Sequence, residues 1–210
     1  MKVIKPSYEI LTEIDSDKIL LGLEAAARTC YKSEDKITEN SARELMQQLI
    51  DSGHEAMIEF DDITVRFICD RGISHELVRH RIASFAQEST RYCNYSRSKF
   101  GNELTFIVPN WLDHENPTDA YDYWAEAMKF AEKHYLHLIS DWKWSAQKAR
   151  SVLPNSLKTE IVMKANIREW RHFFKLRCAP AAHPQMRELT IPLLHEIQSK
   201  IPVLFDDINY

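Results

Sequence analysis

Two stretches of this chain concentrate side chains that can hold an anion. The first is Arg79-His80-Arg81-Ile82-Ala83-Ser84-Phe85-Ala86-Gln87-Glu88-Ser89-Thr90-Arg91-Tyr92. From Arg79 to Lys99 it sets five cations (Arg79, Arg81, Arg91, Arg97, Lys99) against one acid, Glu88. Arginine suits phosphate because its planar fork donates two parallel charge-assisted hydrogen bonds. Ser84, Ser89 and Thr90 add short hydroxyls of the kind that surround phosphate oxygens. The second stretch runs from Arg150, just ahead of Leu153-Pro154-Asn155, to Asn166-Ile167-Arg168-Glu169-Trp170-Arg171-His172-Phe173-Phe174-Lys175-Leu176-Arg177. Its last part has four cations (Arg168, Arg171, Lys175, Arg177) against Glu169. The plain alternative for both is a solvated basic face, since cations near a helix C-terminus are favoured by the dipole.

The local geometry limits how these groups act together. Consecutive helical residues point roughly 100° apart, so Arg79, His80 and Arg81 cannot all face one ligand from one helix side. Either the helix ends there or the three serve different ligands or different subunits, and a composite site is expected. On a helical wheel Ile167, Trp170, Phe173, Phe174 and Leu176 fall on one arc and Arg168, Arg171, His172 and Lys175 on the other. Asn166 and Arg177 fall on the apolar side, so Arg177 is expected to point toward the core or a cleft. A desolvated guanidinium needs a partner, either an internal carboxylate or an anionic ligand. Arg168 and His172, at i and i+4, share a face.

The elements that position these residues follow from periodicity and caps. Residues 1–10 alternate weakly, as a strand does. Residues 16–31 read as a helix capped by Asp15 or Ser16, and Ser41–Asp51 as a second that ends near Gly53. Ile63, Val65 and Phe67 alternate with Thr64 and Arg66 in a strand pattern. Gly72-Ile73-Ser74 turns the chain, with Ser74 as N-cap of a helix running through Arg81. Leu104–Val108 reads as a strand closed by Pro109. A long helical pattern covers 118–150, Glu160–Lys164 a strand, and 166–178 and 185–200 helices. Helices dominate and the strands are irregularly spaced, which favours α+β over regular βαβ repeats.

Composition excludes several classes. The chain has 210 residues, 44% hydrophobic and 28% charged, as in a globular protein with a real core. The formal net charge of −4 argues against a nucleic-acid polymer as partner. No apolar run approaches the ~20 residues that span a bilayer. MKVIKPSYEI has no long apolar h-region, so no membrane is expected and the expected compartment is the cytoplasm. Cys30, Cys69, Cys93 and Cys178 form no CxxC pair and read as small buried hydrophobes rather than nucleophiles. No base is placed near Ser89 to make it a nucleophile. Two rival readings remain. His134 and His137 would serve a metal-dependent nucleotide phosphohydrolase, but no H-E-x-x-H accompanies them and no metal is expected. Arg79–Lys99 with Phe85, Tyr92 and Tyr95 would serve an RNA-binding module, without an RRM-type motif to support it.

Taken together the ordered blocks resemble the flavin-dependent thymidylate synthase family, whose signature is Arg-His-Arg, seven residues, then Ser. Here that is Arg79-His80-Arg81 and Ser89, followed by Arg91-Tyr92. Arg150-Ser-Val-Leu-Pro-Asn155 and the Asn166 to Arg177 run match as well. So do Ala25-Ala-Ala-Arg-Thr-Cys-Tyr31 and Gly53-His54-Glu55 upstream. The resemblance implies methylation of dUMP to dTMP, with methylenetetrahydrofolate as carbon donor and FAD reduced by NADPH as hydride carrier. It implies that Arg177 is catalytic, contacting the uracil and stabilising its ionised form. Glu76, Leu77, Val78, Arg79, Gln87, Glu88, Ser89, Thr90, Arg91, Arg150 and Arg177 match dUMP-binding positions. His54, Ala56, Arg79, His80, Arg81, Gln87, Asn166, Ile167, Arg168 and His172 match flavin-contacting positions. It also implies a homotetramer with sites shared between chains. Two departures stand out. Ala56-Met57-Ile58-Glu59-Phe60 stands where a Pro-rich stretch and a Glu-His pair are frequent, and Ala86 where Asn is common. The expected fold is α+β (α/β), a helix-rich single domain over 1–210 around a small, mainly antiparallel twisted sheet.

Overall fold

A computed structural model describes residues 1–113 and 118–210. In chain order the elements are β1 (Lys2–Ile4), β2 (Ser7–Ile10), α1 (Ser16–Tyr31), α2 (Ser41–Asp51), β3 (Asp62–Asp70), α3 (Arg71–Leu77), β4 (Ala83–Gln87) and β5 (Thr105–Ile107). They continue with α4 (Asp119–Ser140), α5 (Ala146–Ala149), β6 (Lys158–Asn166), α6 (Ile167–Arg177), α7 (Pro184–Lys200) and α8 (Pro202–Phe205). Single 3-10 turns fill Glu55–Phe60 and Arg150–Val152. The fold is α+β, with a small, mainly antiparallel four-stranded sheet in the order β2-β3-β6-β4. The chain divides into two compact units, and it passes from one to the other inside β2, β3, β4 and β6 and between Arg79 and His80.

The first unit comprises Met1–Ser7, Phe67–Arg79 and Ala86–Val162. Here β1 pairs in parallel with β5, Val3 opposite Phe106. A core forms from Tyr95, Leu104, Phe106, Met128, Tyr135, Ala149 and Leu157. The N-terminal ammonium is held by Glu103 and Glu132, at 3.2 and 3.1 Å.

The second unit comprises Tyr8–Arg66, His80–Phe85 and Met163–Tyr210. Its centre is aromatic: Trp170 packs edge-on to Phe173 and stacks on Phe174, which meets Phe205. The buried Trp170 indole donates to the Ile63 carbonyl at 2.9 Å, as a buried N–H must. Around this centre α1 packs on α2, and α6 packs on α7.

Local chemistry sets the element ends. Asp15 caps α1 by accepting from the Lys18 N–H at 3.1 Å, and the helix closes on a left-handed Lys32. Along β3 the alternate residues Ile63, Val65, Phe67 and Cys69 are fully buried, and along β6 Thr159, Ile161 and Met163. Both are the period-2 pattern of a strand with one face in the core. Two expected helices are shorter than their patterns. The helix expected from Ser74 through Arg81 instead begins at Arg71, because Asp70 accepts from the Ile73 N–H at 2.7 Å, and it stops at Leu77. The pattern over 118–150 breaks after Ser140. There a left-handed Lys143 lets the Trp144 N–H reach back to the Leu138 carbonyl at 2.9 Å, and Arg150 begins a separate turn. The strand expected over 1–10 is split at Pro6 into β1 and β2.

Candidate active site

The motif residues divide between the two units at one peptide bond. Arg79 ends a segment of the first and His80 begins a segment of the second. Because α3 ends at Leu77, neither residue is helical. Of the options open in the sequence, the ended helix is the one realised.

In the first unit the loop after β4 carries the signature hydroxyls. Gln87 donates its side-chain N–H groups to Ser74 Oγ at 2.8 Å and Thr159 Oγ1 at 3.2 Å. Glu88 is taken up internally, accepting from the Tyr95 hydroxyl at 2.9 Å and the Lys158 ammonium at 3.1 Å. Burial works against the Lys158 charge, but its bonds to Glu160 and Glu88 outweigh this and raise its pKa above the ordinary lysine value. These contacts fix the loop from below. Above them the Ser89 oxygens accept from the N–H groups of Arg91, Tyr92 and Cys93 in a tight turn. Arg150 Nη1 reaches Thr90 Oγ1 at 3.4 Å across 60 residues of sequence. Arg91 Nε donates to Gln147 Oε1 at 3.1 Å, and its guanidinium carbon lies 5.3 Å from the Tyr92 ring centre. Arg79, Arg91 and Arg150 are all exposed. Glu76 is half-buried, Val78 exposed, and the Leu77 side chain lies in the core, so Leu77 has only its backbone to offer a ligand.

In the second unit α6 is the organising element. Asn166 caps it, its Oδ1 accepting from the Glu169 N–H at 2.8 Å; this fixes the amide so that its Nδ2 donors face away from the helix. Arg177, in the last turn, is half-buried, as its place on the apolar side required. Its Nε–H donates to His80 Nε2 at 3.0 Å. The other ring nitrogen of His80 lies 3.0 Å from Glu169 Oε1. His80 also meets Phe173 edge-on at 4.9 Å and His172 at 5.8 Å. Burial, with the Arg177 charge adding to it, lowers the His80 pKa below its ordinary value despite the opposing Glu169 carboxylate. Because the Arg177 Nε–H can only donate, His80 Nε2 accepts, which leaves Nδ1 to carry the ring proton facing Glu169.

The wheel misplaced two residues of α6. Arg171, assigned to the polar side, is 1% exposed, and Leu176, assigned to the apolar arc, is exposed. Arg171 is buried because acids from two distant segments reach it. Glu55 lies at 3.0 Å and Asp207 at 2.6 Å, and the Leu204 carbonyl accepts as well. Burial alone would push Asp207 upward, but the Arg171 bonds, with Lys175 nearby, hold its carboxyl below the ordinary range.

Of the remaining positions of the second unit, Asn166 borders an open groove of about 290 Å³. It is lined by Glu59, Phe60, Ile82, Ser84, Lys164 and Asn166, among others. Phe60 and Ile82 stand 69% and 70% exposed, so the groove offers apolar surface beside the Asn166 amide and Ser84 hydroxyl; two acids, Glu59 and Asp62, also line it, and Asp62 pairs with the Lys164 ammonium at 3.0 Å. The volume admits part of a dinucleotide rather than all of it. Arg168 lies at 2.6 Å from Glu59. Arg81, His54, Ala56 and His172 are exposed. Ile167 is buried, with its N–H given to the Asp61 carbonyl.

His80, Glu169 and His172 place ligand atoms within 4.8 Å of one another, a cation-binding spacing. A cation at His80 Nε2 would have to displace the Arg177 guanidinium, whose charge opposes it. His134 stacks on Phe130, and His137 pairs with Asp141 at 2.8 Å; neither joins that group. Burial pushes the Cys69 thiol up to about 12 and raises Cys178 too, which keeps both protonated.

Sequence reasoning passed over Glu169 as a lone acid among cations. A signal was there: Glu169, Phe173 and Arg177 recur at i, i+4 and i+8, one row along the helix.

Comparison with known proteins shows which family the chain resembles. Residues 14–203 match the family model described as "Thymidylate synthase complementing protein". A flavin-dependent thymidylate synthase of Geobacter sulfurreducens is 32% identical over 190 residues, covering 87% of this chain and 78% of the relative. Proteins with the same name are 31% identical in Corynebacterium aurimucosum, over 89% of this chain and 79% of the relative, and 32% identical in Pyrococcus abyssi, over 80% and 68%. With the motif blocks in order along nearly the whole length, this chain belongs to the flavin-dependent thymidylate synthase family of enzymes.

Proposed function

We propose that the protein makes dTMP from dUMP by reductive methylation, with methylenetetrahydrofolate as carbon donor and a flavin, FAD, reduced by NADPH. One observation beyond family membership carries the reading: Arg150 and Thr90, 60 residues apart, meet at the loop that holds Arg91. Cations and hydroxyls from separate motif blocks are thereby gathered on one surface of the first unit.

In this reading Ser89, Thr90, Arg91 and Arg150 receive the nucleotide phosphate, and Glu76, Leu77, Val78, Arg79, Gln87 and Glu88 make the other dUMP contacts. Arginine keeps its charge where a lysine would lose its proton. Arg177 meets the pyrimidine and stabilises negative charge that develops on the ring, a task for a fixed cation in a water-poor setting. His80 holds that guanidinium by its Nε–H. Asn166 Nδ2, Arg81, Arg168, His172 and His54, with Ala56 and Ile167, hold the flavin. When bound, the flavin supplies the hydride that completes the methyl group, so no cysteine nucleophile is needed. The active assembly is taken to be a homotetramer in the cytoplasm, with sites shared between chains.

The test is absorbance and turnover. The purified protein is expected to carry the yellow spectrum of oxidised flavin, or to acquire it from added FAD, and to oxidise NADPH faster when dUMP is present. A protein that takes up no flavin under either condition defeats the reading.

A further inference from the structure

The chain Glu169, His80, Arg177 uses every polar atom of a buried imidazole. Glu169 and His80 are 6% and 4% exposed, and the two contacts of the ring are each 3.0 Å. An arginine Nε–H can only donate, so His80 Nε2 must be the acceptor and carry no proton. The neutral ring then has its single proton on Nδ1, and Nδ1–H must find an acceptor in the interior. Glu169 is that acceptor. Remove it and the ring has reason to invert its tautomer, which turns Nε2 into a donor facing a donor. The Phe173 edge contact fixes the plane of the ring, so the exchange cannot be relieved by swinging the imidazole away.

We infer that Glu169 is a positioning residue for the proposed reaction: by fixing His80 as the Nδ1–H tautomer, it keeps Nε2 as the acceptor that orients the Arg177 guanidinium. The inference rests on the assignment of Arg177 to the pyrimidine. Glu169 touches neither substrate nor flavin in this scheme and acts only through His80. The lowered His80 pKa, driven by burial, agrees with a ring that is neutral and able to accept. The competing role for Glu169 is structural. It sits in the first turn of α6, where a carboxylate favours the helix through the dipole. That role is indifferent to which nitrogen of His80 holds the proton, and this is what separates the two.

The experiment uses the flavin-loaded protein with 15N-labelled histidine. Long-range proton–nitrogen spectra report which ring nitrogen of His80 is protonated, and calorimetry reports dUMP affinity. Wild type is expected to show the Nδ1–H form. Glu169→Ala is expected to populate the Nε2–H form and to weaken dUMP roughly 10-fold, the scale of coupling between residues in one hydrogen-bond network. Glu169→Gln, which keeps an acceptor oxygen, is expected to retain the tautomer and most of the affinity. In an Arg177→Ala background Glu169→Ala should cost nothing further. The inference is overturned if wild-type His80 carries its proton on Nε2, if Glu169→Ala leaves both tautomer and affinity unchanged, or if its loss persists in full without Arg177. Since the wild-type spectrum needs no substitution, the first criterion applies even if a variant does not fold. Failure of the synthase reading shows separately, as wild-type protein that binds neither flavin nor dUMP, because the tautomer and its dependence on Glu169 are read without nucleotide.

Discussion

The arginines of the two units have different company. In the first unit Arg91 bonds the amide of Gln147, and Arg150 the hydroxyl of Thr90; both partners are neutral. In the second unit Arg171 is bound by Glu55 and Asp207, and Arg168 by Glu59. A guanidinium oriented by a neutral group keeps its field for an incoming anion. One matched by carboxylates has spent that field inside the protein, and if buried it is costly to unpair. Arg177, also in the second unit, has its Nε–H given to the His80 ring at 3.0 Å, so a neutral group takes part in orienting it. On the proposed reading, the charge of an arginine's partner is the feature to test for telling ligand-binding cations from structural ones.

The sharpest way to break this comparison is to exchange expectations between Arg177 and Arg171, six residues apart on α6. Arg177→Ala is expected to lower turnover about 10³-fold, the upper end for loss of one group that stabilises developing charge, with the melting temperature nearly unchanged. Arg171→Ala is expected to cost about 3–4 kcal/mol of stability, because Glu55 and Asp207 are left beside a buried gap. A thermally fragile Arg177 variant with normal turnover, or a stable Arg171 variant, would invert the assignment. Next in size are Arg91→Ala and Arg150→Ala. Each removes a charged donor worth roughly 1.5–3 kcal/mol, or about 10- to 100-fold in dUMP affinity. Calorimetry that finds affinity unchanged in both takes the phosphate away from this loop.

Much of this layout was legible in the sequence. The spans of α1, α2 and α7, the β3 alternation and the inward turn of Arg177 all follow from caps and periodicity, which are local. What was not legible is non-local. Nothing in residues 166–177 says that Glu55 and Asp207 will arrive beside Arg171, so a wheel must send that arginine to solvent. Nor does the pattern over 118–150 reveal that Lys143 will take a left-handed turn. The ordered motif blocks pointed to the family, whereas the Glu169 contact to His80 spans 89 residues and is set by the tertiary fold.

A smaller effect tests the neutral partner itself. His80 has a folded pKa below its ordinary 6.5, with burial the main cause. The unfolded chain therefore binds the proton more readily on the acid side. The stability that His80 contributes is complete above its ordinary value and is lost as pH falls below it. Thermal melts of wild type should decline between about pH 7 and pH 5, and those of His80→Gln, which has no ring to titrate, should decline less over the same range. Parallel curves would mean that the ring is not buried in its neutral form.

The smallest expected effect lies at Arg168, where partner and exposure point the same way. Its ion pair with Glu59 is short, at 2.6 Å, but the two side chains are 50% and 44% exposed. Such pairs contribute less than about 1 kcal/mol, because water screens them and ordering two long side chains offsets the attraction. Arg168→Ala should thus shift the melting temperature by only a degree or two, about the size expected for so small a change in a chain of this length. Flavin retention decides what else Arg168 does. If it contacts the flavin, Glu59 must release it when the cofactor binds, so Glu59→Gln should tighten flavin modestly while Arg168→Ala loosens it. Equal flavin occupancy in wild type and both variants would leave Arg168 a surface cation paired with its neighbour, and the boundary between structural and ligand-binding arginines would then run through α6 between Arg171 and Arg177.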